Sequence, residues 1–105
     1  MSVLTPYNFE VISNNPDDPP IVQNMQIPVD GVFIKAECDS EGRPALWYEV
    51  DQDAPLQNCY LSAVLNGHVV PYDGYYKPGM KWYYRAALPT DTYTWYIYLG
   101  FEPSN

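Results

Sequence analysis

Apolar and polar side chains alternate with a period of two along most of this chain, the spacing of pleated strands with one buried face. Tyr7, Phe9 and Val11 alternate with Asn8 and Glu10, and Ile21 to Ile27 reads as a short strand that Pro28 stops. Val32, Ile34, Ala36 and Cys38 fall on one face of the next strand, with Lys35 and Glu37 on the other. The turn Asp39-Ser40-Glu41-Gly42-Arg43-Pro44 then predicts a hairpin between Val32–Cys38 and Ala45–Asp51. Cys59, Leu61, Ala63 and Leu65 point one way, and Asn66-Gly67 predicts a tight hairpin into His68-Val69-Val70. Met80, Trp82, Tyr84 and Ala86 alternate with Lys81, Tyr83 and Arg85. The longest predicted strand, Thr92 to Phe101, places Tyr93, Trp95, Ile97, Leu99 and Phe101 on one face. Residues 13–20, rich in Pro, Asp and Asn, and the tyrosine-laden residues 71–79 read as loops. The pattern predicts one all-β domain over residues 1–105, a sandwich or small barrel of about seven or eight mostly antiparallel strands. Trp47, Trp82 and Trp95 are expected in its core, because most of their same-face neighbours are apolar.

Composition narrows the function classes. The 105 residues suit a single domain, and 47% hydrophobic content is enough for a core. Thirteen acids against five bases give a net charge of -8. That balance excludes a free-standing DNA or RNA binder, whose affinity comes from clustered Lys and Arg, and argues against docking on an anionic membrane. The surplus lies wholly in residues 1–59, while residues 60–105 are neutral and hold nine of the eleven tyrosines. Met1 to Pro6 lacks the basic and apolar regions of a secretory signal, so the expected location is the cytoplasm. Cys38 and Cys59 are expected to be free thiols there. A single His and two distant Cys lack zinc-ligand spacing, and neither a metal nor a cofactor is expected.

Three groups of side chains carry candidate chemistry. His68 is the sole side chain titrating near neutrality, and a nucleophile beside it would have to be Ser62, Cys59 or a threonine. None sits in a known nucleophile context, so no catalytic residue is assigned. Glu37, Asp39, Glu41, Glu49, Asp51 and Asp53 form an acidic run able to meet a basic partner surface. Glu49 and Asp51 share a strand face, a spacing that serves a glycosidase but equally a solvated edge. The third group is the loop of Tyr72, Tyr75, Tyr76 and Lys77, with Lys81, Arg85 and His68 nearby in sequence. Tyrosines offer flat amphipathic contact at low entropic cost, and the cations suit a phosphate or carboxylate.

Several short words give a resemblance. Gln23-Asn24-Met25-Gln26-Ile27-Pro28, Leu46-Trp47 with Val50-Asp51, and Gly67-His68 resemble an uncharacterised family of short phage and prophage proteins. Its members read Gln-x-Ile-x-x-Pro, Leu-Trp-x-x-Val-Asp and Gly-x-Gly-His at these places; here Met25 replaces the first Ile and Leu65 the first Gly. The resemblance implies a viral origin and a small β fold, and transfers no catalytic residue. Together these readings point to a non-enzymatic accessory protein in the cytoplasm of an infected host cell. Its expected partner is a host protein, met by the acidic surface, or a small nucleotide held by the tyrosine loop. A virion decoration protein, including one assembling with its own copies, is the alternative, with a small hydrolase behind both.

Overall fold

A computed structural model describes residues 1–103. Seven strands follow one another: β1 (Ser2–Asn8), β2 (Gln23–Pro28), β3 (Val32–Ala36), β4 (Ala45–Asp51), β5 (Leu56–Val64), β6 (Lys81–Pro89) and β7 (Thr94–Phe101). They build a three-stranded sheet in the order β1-β4-β3 and a four-stranded sheet in the order β2-β5-β7-β6. Every pairing is antiparallel. The sheets pack face to face without closing, so of the two architectures the sequence allows, the sandwich is the one adopted.

Alternation explains the principal core. Leu46, Tyr48 and Val50 point inward from β4, while Trp47, Glu49 and Asp51 point out. Cys59 and Leu61 from β5 meet Trp95, Ile97 and Leu99 from β7, and Met25, Ile27 and Leu88 complete the layer. Each fully buried Leu or Ile contributes about 1.5–3 kcal/mol.

A second, smaller cluster lies on the other face of the four-stranded sheet. There Tyr60, Met80 and Trp82 are buried, with Val22, Tyr75 and Tyr98 packed against them. Gly100 makes this possible, since a Cβ there would lie 2.7 Å from the Met80 Cε and 2.8 Å from the Trp82 ring.

Four sequence readings are corrected. The first strand is Ser2–Asn8, not Tyr7–Val11: Pro6 is tolerated because β1 is an edge strand, and beyond Phe9 the chain leaves the sheet. The Asn66-Gly67 turn forms, with the His68 amide donating to the Leu65 carbonyl at 3.2 Å, but no strand follows it. Both sides of β5 are already taken, by β2 and β7, so residues 68–70 have no ladder to join. In β3 a bulge between Phe33 and Lys35 breaks the predicted face, exposing Val32 and Ile34 and turning Phe33 inward. In β6 a bulge between Tyr84 and Ala86 moves Ala86 to the opposite face from Met80, Trp82 and Tyr84. Trp82 and Leu88 are therefore buried in different clusters, although regular alternation would put them on one face. Of the three tryptophans, Trp95 lies in the principal core and Trp82 in the second cluster. A fifth reading is also corrected: Trp47, expected in the core, is half-buried on the outer side of its sheet, the face it shares with Glu49 and Asp51.

Candidate functional site

The tyrosine loop is folded down upon the sheet. The Tyr75 hydroxyl donates to the Pro20 carbonyl at 2.6 Å, and the Trp82 indole donates to the Tyr75 carbonyl at 3.1 Å. Tyr76 lies against Tyr60 with ring centroids 5.6 Å apart. Lys77 crosses the Tyr60 ring and donates to the Tyr60 hydroxyl at 2.9 Å and to Glu102 at 2.6 Å. Those bonds raise the Lys77 pKa, and the bond from Lys77 most strongly lowers that of Glu102. Lys81 pairs with Asp73, whose other oxygen accepts from the Trp82 amide.

The seven candidate ligand residues are thus divided among three places. Tyr72, Tyr75, Tyr76, Lys77 and Lys81 belong to the loop and its anchors, and Tyr72 and Tyr76 keep exposed rings. His68 lies at one end of β5, its Nδ1 3.1 Å from the Asn14 Oδ1 and bonded to neither Ser62 nor Cys59. Arg85 sits in the β6 bulge, on the inner side of its sheet.

The acidic run is divided as well. Asp39 is the keystone of the β3–β4 turn: its carboxylate accepts from the Glu41 and Arg43 amides at 2.9 and 3.0 Å, and from Asn8 and the Arg43 side chain. These donors, the Arg43 amide foremost, hold its pKa at about 2. Glu37 pairs with Lys35, and Glu41 with Arg43. Glu49, Asp51 and Asp53 lie toward the other end of β4 and have no basic partner among the described residues. No three His, Cys, Asp or Glu side chains are placed to hold a metal ion among those residues.

A cleft with apolar walls and polar groups opens between the edge strands β3 and β6. It measures about 450 Å³, within the size range of small-molecule sites. Phe33, Tyr83, Leu99 and Phe101 furnish apolar walls, while Arg85, Gln57 and Tyr48 bring polar groups. Both bulges serve it. One turns Phe33 inward, and the other directs Arg85 across the gap, its guanidinium 4.4 Å from the Phe33 ring centroid. Gly31 also borders the cleft, where a Cβ would lie 3.1 Å from the Val50 Cγ1 and 3.3 Å from the Pro28 carbonyl oxygen. Burial pushes the Tyr48 phenol up to about 12, with Arg85 pulling the other way. Burial likewise pushes the Cys59 thiol up to about 11, so it remains protonated at neutral pH. Both cysteines are free.

Arg85 differs from every other Lys and Arg of the chain. Lys35, Arg43, Lys77 and Lys81 each hold a carboxylate, but Arg85 has none within 4 Å among the described residues. Despite the surplus of acids, no Asp or Glu lines its cleft. Sequence reasoning placed Arg85 with the tyrosine loop and missed Phe33, Tyr48, Gln57, Tyr83 and Phe101. The available signal was an arginine flanked by Tyr83-Tyr84 and Ala86-Ala87 within a strand. Comparisons with protein-family models, curated proteins and solved structures find no match to this chain.

Proposed function

We propose that this protein is a non-enzymatic binding protein that captures a small planar anion in the β3–β6 cleft. The observation carrying this reading is the guanidinium of Arg85, without a carboxylate within 4 Å among the described residues, beside aromatic walls in a cleft that no Asp or Glu lines. An aromatic ring bearing a phosphate or carboxylate matches both features: the ring stacks against Tyr83 or Phe101, and Arg85 takes the charge in a forked pair. A nucleotide is the leading member of that class. Resemblance to short phage proteins supports an accessory role in an infected cell, with the protein sequestering a host nucleotide signal.

Binding is favoured over catalysis by the state of the would-be nucleophiles. Cys59 is held as a thiol, and the Ser62 hydroxyl is buried without a hydrogen-bond partner among the described residues. A second reading, inhibition of a basic host protein, is supported by Glu49, Asp51 and Asp53, which have no basic partner among the described residues.

Thermal denaturation with adenosine and guanosine monophosphates and a cyclic dinucleotide tests the first reading. A bound nucleotide at about 100 times its Kd adds about 2.7 kcal/mol of stability, and Arg85→Ala removes that gain. Absence of any shift, or a shift that survives Arg85→Ala, overturns it. Salt-sensitive capture of a host protein, lost in a Glu49→Gln, Asp51→Asn variant, favours the second reading.

A further inference from the structure

A second cleft of about 420 Å³ lies where β5 ends and β7 begins, between residues 13–14, the Leu65–His68 turn and Tyr93–Tyr96. None of the residues lining it is Asp, Glu, Lys or Arg. The lining instead combines the amides of Asn14 and Asn66, the Thr94 hydroxyl, the His68 imidazole and the rings of Tyr93 and Tyr96. Tyr93 is 52% exposed and Tyr96 36%, so both rings remain open to a ligand.

Hydrogen bonding sets the orientation of these polar groups. The Asn14 amide nitrogen donates to the Pro19 carbonyl at 3.1 Å, which directs its Oδ1 at the His68 Nδ1. An amide oxygen only accepts, so Nδ1 carries the hydrogen. The cleft thus offers acceptors and donors with no Asp, Glu, Lys or Arg among them.

The cleft also continues onto the sheet. Tyr96 belongs to a row across the outer face of β6 and β7, with Tyr84 6.5 Å from Tyr96 and 5.6 Å from Tyr98 between centroids. Tyr84 is 53% exposed, so the row is an open aromatic platform adjoining the cleft.

From this combination we infer that the cleft and the tyrosine row bind a neutral saccharide chain. A sugar ring presents an apolar C–H face that packs on a tyrosine ring and an equatorial rim of hydroxyls that pair with amides, a hydroxyl and an imidazole. An anion or cation finds no Asp, Glu, Lys or Arg to pair with in the cleft, and a purely apolar ligand leaves the Asn66 amide and the Thr94 hydroxyl without a partner from it. The platform beside Tyr96 gives the neighbouring sugar a second surface, which favours a chain over a monosaccharide. Tyr84 also borders the Arg85 cleft, but the inference does not depend on Arg85.

Titration of the isotopically labelled protein with maltohexaose, cellohexaose and N-acetylchitohexaose, followed by NMR, is the test. At about 10 mM, at least one of the three shifts the amide signals of Asn66–His68 and Tyr93–Tyr96, with a Kd near about 1 mM. Tyr96→Ala and Asn66→Ala each weaken binding about tenfold, Tyr96→Phe retains it, and Arg85→Ala leaves it unchanged. Asn66 is an exposed turn residue, so its variant keeps the fold even if the Tyr96 replacement does not. The inference is overturned if none of the three oligosaccharides shifts those signals. It is also overturned if binding survives Asn66→Ala and a folded Tyr96→Ala.

Discussion

The outer faces of the two sheets start from the same alternation and reach different environments. On the three-stranded sheet, the outward residues of β4 are Trp47, Glu49 and Asp51, with the carboxylates in water and the indole half covered. Lys35 crosses the Trp47 ring at 5.2 Å, and the indole donates to the Glu37 carbonyl, which is surface packing. On the four-stranded sheet, the outward Tyr60 and Trp82 are 3% and 8% exposed beneath the residue 71–80 segment. One outer face is a solvated surface, and the other carries a second core. An outward position in a strand specifies direction alone; what covers that direction depends on where a distant loop lands.

Truncation breaks this comparison most sharply. Trp82→Ala costs about 3–5 kcal/mol, as for a core residue, whereas Trp47→Ala costs about 1–2 kcal/mol. Urea denaturation measures both, and equal costs would sink the distinction. Gly100→Ala follows at about 1–3 kcal/mol, because the added methyl meets Met80 and Trp82. Gly42→Ala, where nothing lies within 4 Å but φ is +78°, costs about 1 kcal/mol through backbone strain.

pH separates the turn of the first sheet from the groups between the sheets. Asp39 has a folded pKa of about 2 against an ordinary 3.8, so its stabilisation is present above pH 3.8 and is lost as pH falls toward 2. Asp39→Asn flattens this acid limb. Cys59 and Tyr48 are raised from 9.0 and 10.0 to about 11 and 12, so their stabilisation is lost as pH rises beyond 9. In Cys59→Ala the loss begins nearer pH 10, as read from the urea midpoint against pH. The smallest effect belongs to the loop clasp: Lys77→Met lowers the urea midpoint less than Gly100→Ala, and added salt narrows the gap from wild type.

Much of the fold was legible because alternation reports directly on burial. The β3–β4 hairpin and the faces of β5 and β7 follow the pattern of apolar residues, whereas in β4 the expectation that Trp47 is core picked the wrong face. The acidic and aromatic halves were legible as charge bookkeeping, but their place in space was not: β1, β3 and β4 come from residues 1–59, and so do β2 and the start of β5 in the other sheet. The two bulges were not legible. Each adds one residue whose cost is set by the partner strand and by what lies across the sandwich, and neither Ile34 nor Arg85 announces this locally. Residues 68–70 look like a strand, yet β5 has no free edge for them, a fact that exists only once β2 and β7 are in place.

The sequence by itself determined the all-β class, the turn positions and the uneven distribution of charge, since each depends on neighbours a few residues apart. Tertiary structure decided which exposed-looking aromatics are core and which cation is left without a carboxylate. It also decided which polar residues share a cleft. Those outcomes depend on pairs such as Tyr75 with Pro20, Arg85 with Phe33 and His68 with Asn14. These partners lie far apart along the chain, and chain collapse brings them together only when the two sheets exclude water from the core between them.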